Sequence, residues 1–188
     1  MQEAWGVQQV PKILADCGVR FLLVEGLPKE KIDGVCIWLD PNTPVIAMSI
    51  RFDRIDNFWF VLWHEIAHVL NRDGKNESAW IIDIELEKSE DTTRKVSKQE
   101  HRANEAAGDV CSANQELFSA LAGRTYYAER DFLTLAQRFR IHPGILIGQI
   151  QKKIGRWELL RKYLVRVREH LMPTATVDGW GHIIQVSL

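Results

Sequence analysis

The chain has 188 residues, of which 46% are apolar and 26% are charged, the balance of a soluble globular protein with a sizeable core. None of its apolar runs approaches the roughly 18–20 residues that cross a bilayer, so we expect no transmembrane helix and no membrane partner. The first six residues do not combine a basic region with an apolar one, so we expect no secretory signal. Cys17, Cys36 and Cys111 are widely spaced without a C-x-x-C pair, which indicates reduced core thiols in a cytoplasmic protein.

The net charge of −1 conceals two parts of opposite sign. Residues 1–123 carry 13 basic and 20 acidic side chains, whereas residues 124–170 carry 11 basic and 4 acidic ones. A basic helical segment is typical of proteins that bind nucleic acid or an acidic partner, and also of a solvated surface that balances an acidic half. Charge alone therefore leaves a nucleic-acid partner open.

The first third of the chain predicts a helix, a small sheet and a second, longer helix. Pro11–Cys17 suits a short helix that stops at Gly18. Three apolar segments predict strands, namely Arg20–Glu25, Gly34–Leu39 and Val45–Ile50. The turn-forming residues 40–44 predict that the last two strands form a hairpin. The long helix begins near Arg54 and ends near residues 71–74, where Gly74 favours a C-terminal cap.

The long helix contains the strongest chemical signal, the H-E-x-x-H motif of His64, Glu65 and His68. Positions i and i+4 share one face of a helix, so the two imidazoles point at the same place and can provide two of the ligands of a zinc ion. Glu65, next to the first ligand, can reach a water bound to that ion and act as a general base. The competing interpretation is a buried amphipathic helix that carries two satisfied histidines. An apolar helix has little reason to bury His, Glu and His together without compensation, so we favour the metal site.

A catalytic zinc needs a third protein ligand, and several acidic residues could supply it. Asn71 and Gly74 stand where an extended H-E-x-x-H-x-x-G-x-x-H motif would need its glycine and third histidine, so that class is excluded. Glu100 opens a helix over residues 98–111 whose small residues would allow a close approach to the His64 helix. Its competing role is a capping box with Ser97. The remaining candidates lie close after the motif or on a predicted strand or loop that includes residues 80–87: Glu77, Glu85, Glu87 and Glu90.

The rest of the chain predicts helices. Glu129–Arg140 and Pro143–Ile154 are amphipathic, and Trp157–Leu171 has apolar residues on one face. His101 lies beside Glu100 and would point away from the metal. Residues after Pro173 predict only a tail with a short apolar run.

Two motifs together, His64-Glu65-x-x-His68 and Glu100-x-x-Ala103-Asn104-x-x-Ala107, resemble those of the ImmA/IrrE family of bacterial metallopeptidases. The segments 57–60 and 141–144 are also similar to members that follow a helix-turn-helix domain in HigA-like regulators. The resemblance implies that Glu100 is the third zinc ligand beside His64 and His68. It also implies a protein substrate, since known members cleave a partner transcriptional repressor.

On this basis we expect an α+β, zincin-like fold, with a small β-sheet packed on the H-E-x-x-H helix, a following Glu-bearing helix and a C-terminal helical bundle. The expected division is a peptidase core over residues 1–123, a helical subdomain over 124–172 packed on it, and a tail over 173–188. The expected enzyme is a cytoplasmic endopeptidase that uses Zn²⁺, or else Mn²⁺ or Fe²⁺. Glu65 would be its general base. His142, Tyr126 or Tyr127 could donate a hydrogen bond to the oxyanion, although nothing in the sequence positions them.

A rival hypothesis is a DNA-binding regulator or an antitoxin-like protein whose metal site is structural or sensory. Residues 132–151 have the rhythm of a helix-turn-helix and lie in the basic segment. The would-be recognition helix is too apolar for a major groove, since it carries Ile145, Leu146, Ile147 and Ile150. Direct binding of nucleic acid is therefore the less favoured hypothesis.

Overall fold

The structure is a computed structural model that describes residues 4–25, 31–75, 81–84, 98–112 and 128–178. Within these ranges five strands form one mixed sheet in the order β4-β2-β3-β1-β5. The strands are β1 (Arg20–Val24), β2 (Ile32–Trp38), β3 (Pro44–Met48), β4 (Ile81–Ile84) and β5 (Thr176–Asp178). The helices are α1 (Val10–Asp16), α2 (Ile55–Asn71), α3 (Lys98–Ser112), α4 (Glu129–Phe139), α5 (Pro143–Ile154) and α6 (Arg168–Leu171), with 3-10 turns at Ala4–Gln9 and Arg161–Tyr163.

The predicted hairpin is present, since β2 and β3 pair antiparallel with Val35 opposite Ala47. Asp40 shapes its turn because one carboxylate oxygen accepts from the Asn42 amide and the other from the Thr43 hydroxyl. These hydrogen bonds lower the pKa of Asp40. Every residue of β3 is buried, which places this strand at the centre of the sheet.

The helix α2 packs on β2 and β3, and its apolar side chains Phe58, Val61 and Leu62 enter the main core. α3 and α5 pack against α2. α4 and α5 form a second apolar cluster through Phe132, Ala136, Ile141, Leu146, Ile147 and Ile150. The sheet therefore supports α2 from one side, and α3 and α5 pack against other parts of its surface.

The prediction of one helix over Trp157–Leu171 is wrong. The chain instead forms turns, a 3-10 turn and the short α6. Its apolar residues serve two different clusters, since Leu160 and Leu164 pack on the second cluster while Val167 and Leu171 enter the main core. One straight helix cannot place these residues in two separate apolar clusters. The carboxylate of Asp53 accepts from the backbone amides of Val167 and Arg168, which fixes the start of α6.

The structure also corrects three smaller predictions, which concern a helix cap, a cysteine and the C-terminal tail. The cap of α2 lies at Arg72, which is left-handed at φ 56°, and not at Gly74. Cys17 is exposed, so it is not a core thiol, whereas Cys36 and Cys111 are buried. Burial raises the pKa of each of these two thiols to about 12, so both are unreactive. Thr176–Asp178, expected in a tail, pairs parallel with β1.

The would-be recognition helix of the rival hypothesis is α5. Ile145, Leu146 and Ile147 are fully buried in it, and Ile150 is nearly so. A helix covered in this way cannot present these side chains to a major groove. Among the residues that the structure describes, no helix combines the length and apolarity needed to cross a membrane.

Candidate metal centre

The H-E-x-x-H residues lie in the second half of α2 and are withdrawn from solvent. His64, Glu65 and His68 each have 0% exposure. Their neighbours Val61, Leu62 and Ala67 are apolar and buried, so this part of the helix is held rigidly in the core. Burying three ionisable side chains in an apolar helix is costly unless each meets a compensating group.

The two imidazoles face each other and share a third partner. Nε2 of His64 lies 3.0 Å from Nε2 of His68. The carboxylate of Glu100, on α3, places Oε2 3.2 Å from His64 Nε2 and Oε1 3.3 Å from His68 Nε2. Two helices from distant parts of the sequence thus bring two nitrogens and a carboxylate together, in a cluster that could hold a metal ion.

The spacing of these atoms suits zinc. Donors about 2.0–2.2 Å from a tetrahedral zinc ion lie about 3.3–3.6 Å from one another. The observed separations of 3.0–3.3 Å are close to that geometry. Two imidazoles and one carboxylate form the donor set of one class of catalytic zinc site, in which the fourth position is left for water or substrate. The residues present therefore fit a zinc ion.

Contacts within the cluster outweigh the effect of burial on the pKa values of Glu100 and His68. Burial alone would raise the pKa of Glu100, but hydrogen bonds and charge from His64 and His68 outweigh it and lower the pKa to about 2. Burial alone would lower the pKa of His68, but Glu100 and Asp73 outweigh it and raise that pKa. The carboxylate is therefore ionised across the physiological range, as a metal ligand must be.

Asp73 is the residue that the sequence analysis missed. It is 5% exposed, and its Oδ2 lies 3.0 Å from Nδ1 of His68. Its Oδ1 accepts a hydrogen bond of 2.8 Å from Arg102 on α3. An acidic residue just beyond a histidine-bearing helix was the available signal, but only the fold of the turn shows that it returns to His68.

Glu65 lies beside β2. A Cβ atom at Gly34 would lie 2.5 Å from Oε1 of Glu65 and 3.0 Å from its Cγ, so the carboxyl group lies directly against this strand. Glu65 also contributes, with burial and Asp73, to the raised pKa of Cys36. The side chain predicted to act as base is therefore buried between α2 and β2.

The remaining candidate site residues either lie away from the cluster or fall outside the described ranges. His101 is exposed, as expected, and lies 3.4 Å from Glu105. His142 caps α5, because its Nδ1 accepts from the amide of Gly144, which gives this nitrogen a structural role. Six residues lie outside the described ranges: Glu77, Glu85, Glu87, Glu90, Tyr126 and Tyr127. Ser97, the partner in the alternative capping box, lies outside them as well.

Comparison with protein-family models gives a match. The family model of the IrrE N-terminal-like domain, a peptidase family, matches residues 19–147, which include α2, α3 and most of the sheet. Comparisons with curated proteins and with solved structures yield no match. The match covers more than half of the chain and agrees with the resemblance seen in the two motifs. The chain therefore belongs to the ImmA/IrrE family, whose members carry an M78 metallopeptidase domain.

Proposed function

We propose that this protein is a zinc-dependent endopeptidase that cleaves a partner protein, a helix-turn-helix repressor or an antitoxin, in the cytoplasm. The observation that carries the proposal is the convergence of His64 Nε2, His68 Nε2 and the Glu100 carboxylate within 3.0–3.3 Å. A buried carboxylate, Glu65, stands one residue from the first of these ligands. The repressor as substrate rests on the family resemblance.

Each residue has a chemical role in this proposal. His64, His68 and Glu100 would hold the metal. Zinc in such a site supplies Lewis-acid chemistry, polarising a peptide carbonyl and acidifying water. Glu65 would accept a proton from the attacking water and return it to the leaving amine. The burial of Glu65 keeps bulk water from competing for that proton.

The sheet offers a place for the substrate chain. In the described part of the chain, β4 is the outer strand on the side of β2, and β2 carries Gly34 against Glu65. An extended peptide that adds to an outer strand gains main-chain hydrogen bonds without needing a defined sequence. Such pairing would hold the substrate chain beside β4, at the sheet edge nearer to β2.

The metal assignment is tested by metal content. Wild type, Glu100→Ala and a control, Glu105→Ala, are purified and metal per chain is measured by mass spectrometry. Glu105 lies on the same helix with 67% of its side chain exposed, so its loss leaves the cluster intact. We expect about one zinc per chain in wild type and control and strong loss in Glu100→Ala. Full retention in Glu100→Ala would return the ligand role to Glu77, Glu85 or Glu87, and manganese or iron instead of zinc would change the cofactor.

The peptidase assignment is tested by mapping new protein N-termini in cells that express wild type or Glu65→Gln. We expect cleavage of a helix-turn-helix protein by wild type alone, with the cleavage rate of the variant lower by about 10²- to 10⁴-fold, because the amide cannot take up the proton. The zinc content of the variant should be unchanged. A zinc-loaded Glu65→Gln variant that cleaves at the wild-type rate would remove Glu65 as the base.

A further inference from the structure

We propose that Asp73 is a positioning residue of the metal site, in that its single carboxylate orients His68 and also holds the helix that carries Glu100. The inference rests on the proposed metal role of His68 and Glu100. It assigns a function to a residue outside the H-E-x-x-H motif. Asp73 contacts three separate elements of the fold, namely α2, α3 and β2.

The first contact is made by the turn that ends α2. Arg72 adopts the left-handed conformation, and its amide donates to the carbonyl of Val69 at 3.0 Å while the amide of Asp73 donates to the carbonyl of His68 at 3.0 Å. This pair of hydrogen bonds is a Schellman motif, which folds the chain back over the last turn of the helix. The turn thereby brings the Asp73 carboxylate to the ring of His68.

That contact determines which nitrogen of His68 can bind a metal. An ionised carboxylate only accepts, so Nδ1 of His68 carries the proton that it donates to Asp73 Oδ2 over 3.0 Å. In the neutral ring the lone pair then lies on Nε2, the atom that faces His64 and Glu100. A carboxylate on the remote nitrogen also makes the ligating nitrogen more basic and fixes the plane of the ring.

The second contact reaches α3. Arg102 follows Glu100 by two residues on that helix, and its guanidinium donates to Asp73 Oδ1 at 2.8 Å. The indole N–H of Trp38, on β2, donates to the backbone carbonyl of Asp73 at 2.9 Å. Asp73 is thus held from the helix of the third ligand and from the sheet. Any shift of α3 that displaces Glu100 also pulls on the carboxylate that orients His68.

His64 provides the contrast. Its Nδ1 is buried and has no hydrogen-bond partner among the described residues. Both histidines contact Glu100 through Nε2, but of the two only His68 has a described carboxylate partner on its remote nitrogen, Nδ1. Asp73 therefore adds to the site a hydrogen bond on the side of His68 that faces away from Glu100.

The experiment compares Asp73→Asn, Arg102→Met and a control, Asp33→Asn, with wild type. Asp33 is as buried as Asp73 and accepts two hydrogen bonds from Arg51, but it has no histidine partner in the described chain. Zinc affinity is measured by chelator competition, ligand geometry by the visible absorption of the cobalt-substituted proteins, and folding by thermal unfolding without metal.

We expect Asp73→Asn to weaken zinc binding by about 10- to 100-fold and to alter the cobalt spectrum, because one amide oxygen cannot serve both His68 and Arg102. Arg102→Met, which keeps the contact with His68, should weaken zinc binding measurably but less. Asp33→Asn should lower stability without changing zinc affinity.

The outcomes separate the two proposals. Wild type that binds no zinc would overturn the proposed function itself. Wild type that binds zinc, beside a folded Asp73→Asn with the same affinity and cobalt spectrum, would overturn the role of Asp73. If Asp73→Asn does not fold without metal, Arg102→Met decides, and wild-type zinc affinity in that variant would overturn the link to α3.

Discussion

Gly34 stands where the sheet meets Glu65, the proposed base of the reaction. The strand β2 approaches α2 so closely that a methyl group at Gly34 would lie 2.5 Å from Glu65 Oε1 and 2.8 Å from Val61 Cγ1. Atoms at those distances repel strongly, so the glycine makes room for the carboxylate. The position of Glu65, the proposed base, therefore depends on a residue with no functional group.

We expect Gly34→Ala to lower the cleavage rate by about 100-fold while zinc content stays unchanged, because a shift of about 1 Å in a catalytic group has effects of that size. Stability should fall by about 1–3 kcal/mol through overpacking. The measurements are the cleavage rate of the substrate found by N-terminal mapping, metal content and chemical unfolding. The matched control is Gly108→Ala on α3, where an added Cβ meets nothing within 4 Å. A fully active Gly34→Ala enzyme would contradict the role of this glycine.

The shifted pKa values of Glu100 and His68 make the stability of the metal-free protein depend on pH. The pKa of Glu100 is lowered from 4.5 to about 2, so its contribution is complete above about pH 4.5 and is lost as pH falls towards 2. The pKa of His68 is raised above 6.5, so its contribution is complete below 6.5 and is lost as pH rises through the higher value. The two windows overlap between about pH 4.5 and 6.5.

We therefore expect Glu100→Gln to destabilise the chelator-treated protein more at pH 5.5 than at pH 8.5. Thermal unfolding of wild type and variant at both pH values gives the comparison. Zinc affinity should show the opposite pH dependence. It rises with pH, because protons on His68 compete with the metal at low pH. An equal loss of stability at both pH values would show that the His–Glu contact does not titrate as described.

At the scale of elements, the end of α2 decides the geometry behind the metal cluster. Its Schellman turn requires a left-handed residue, and the chain uses Arg72 with φ 56° where glycine would be unstrained. A left-handed non-glycine residue costs about 1–2 kcal/mol. The turn nevertheless forms, since it satisfies the last carbonyls of the helix and seats Asp73.

We expect Arg72→Gly to stabilise the protein by about 0.5–1 kcal/mol, the relief of strain less the entropy that glycine loses on folding. Chemical unfolding measures the change, and zinc affinity should not move because Asp73 keeps its place. Arg140→Gly, at φ 53° beyond α4, provides the parallel case and should change stability in the same direction. A loss of stability in Arg72→Gly alone would indicate that the arginine side chain itself supports the turn.

At the scale of the whole molecule, the C-terminal helices hold the start of α2. The amide of Ile55 donates to the carbonyl of Val165 at 3.0 Å. Gly148 of α5 lies so close to α2 that an added Cβ would overlap the carboxylate of Asp56, which pairs with Arg54. The basic C-terminal segment thus packs as a structural support of α2, the helix that carries His64, Glu65 and His68.

We expect Gly148→Ala to destabilise the fold by about 1–3 kcal/mol, because Asp56 is buried and has little space to move. Thermal unfolding with and without zinc measures the loss. Gly108→Ala is again the control, and a Gly148→Ala protein as stable as wild type would contradict the close packing of α5 on α2.

The sequence by itself determined the elements whose patterns are local. Pro143–Ile154 has the same bounds in prediction and structure, and the hairpin of β2 and β3 followed from the turn residues around Asp40. The H-E-x-x-H spacing also placed His64 and His68 on one face of a helix, because helical periodicity alone decides it. The second motif pointed to Glu100 through family resemblance.

Only the tertiary structure decided the features that join distant segments. It brought Glu100 to the two histidines, 32 and 36 positions along the chain, through the packing of α3 on α2. It broke the periodic stretch Trp157–Leu171, whose apolar residues are divided between two cores. It also turned Asp73 back onto His68 and set Gly34 beneath Glu65. Such contacts depend on burial and on the direction of whole elements, which no local sequence pattern encodes.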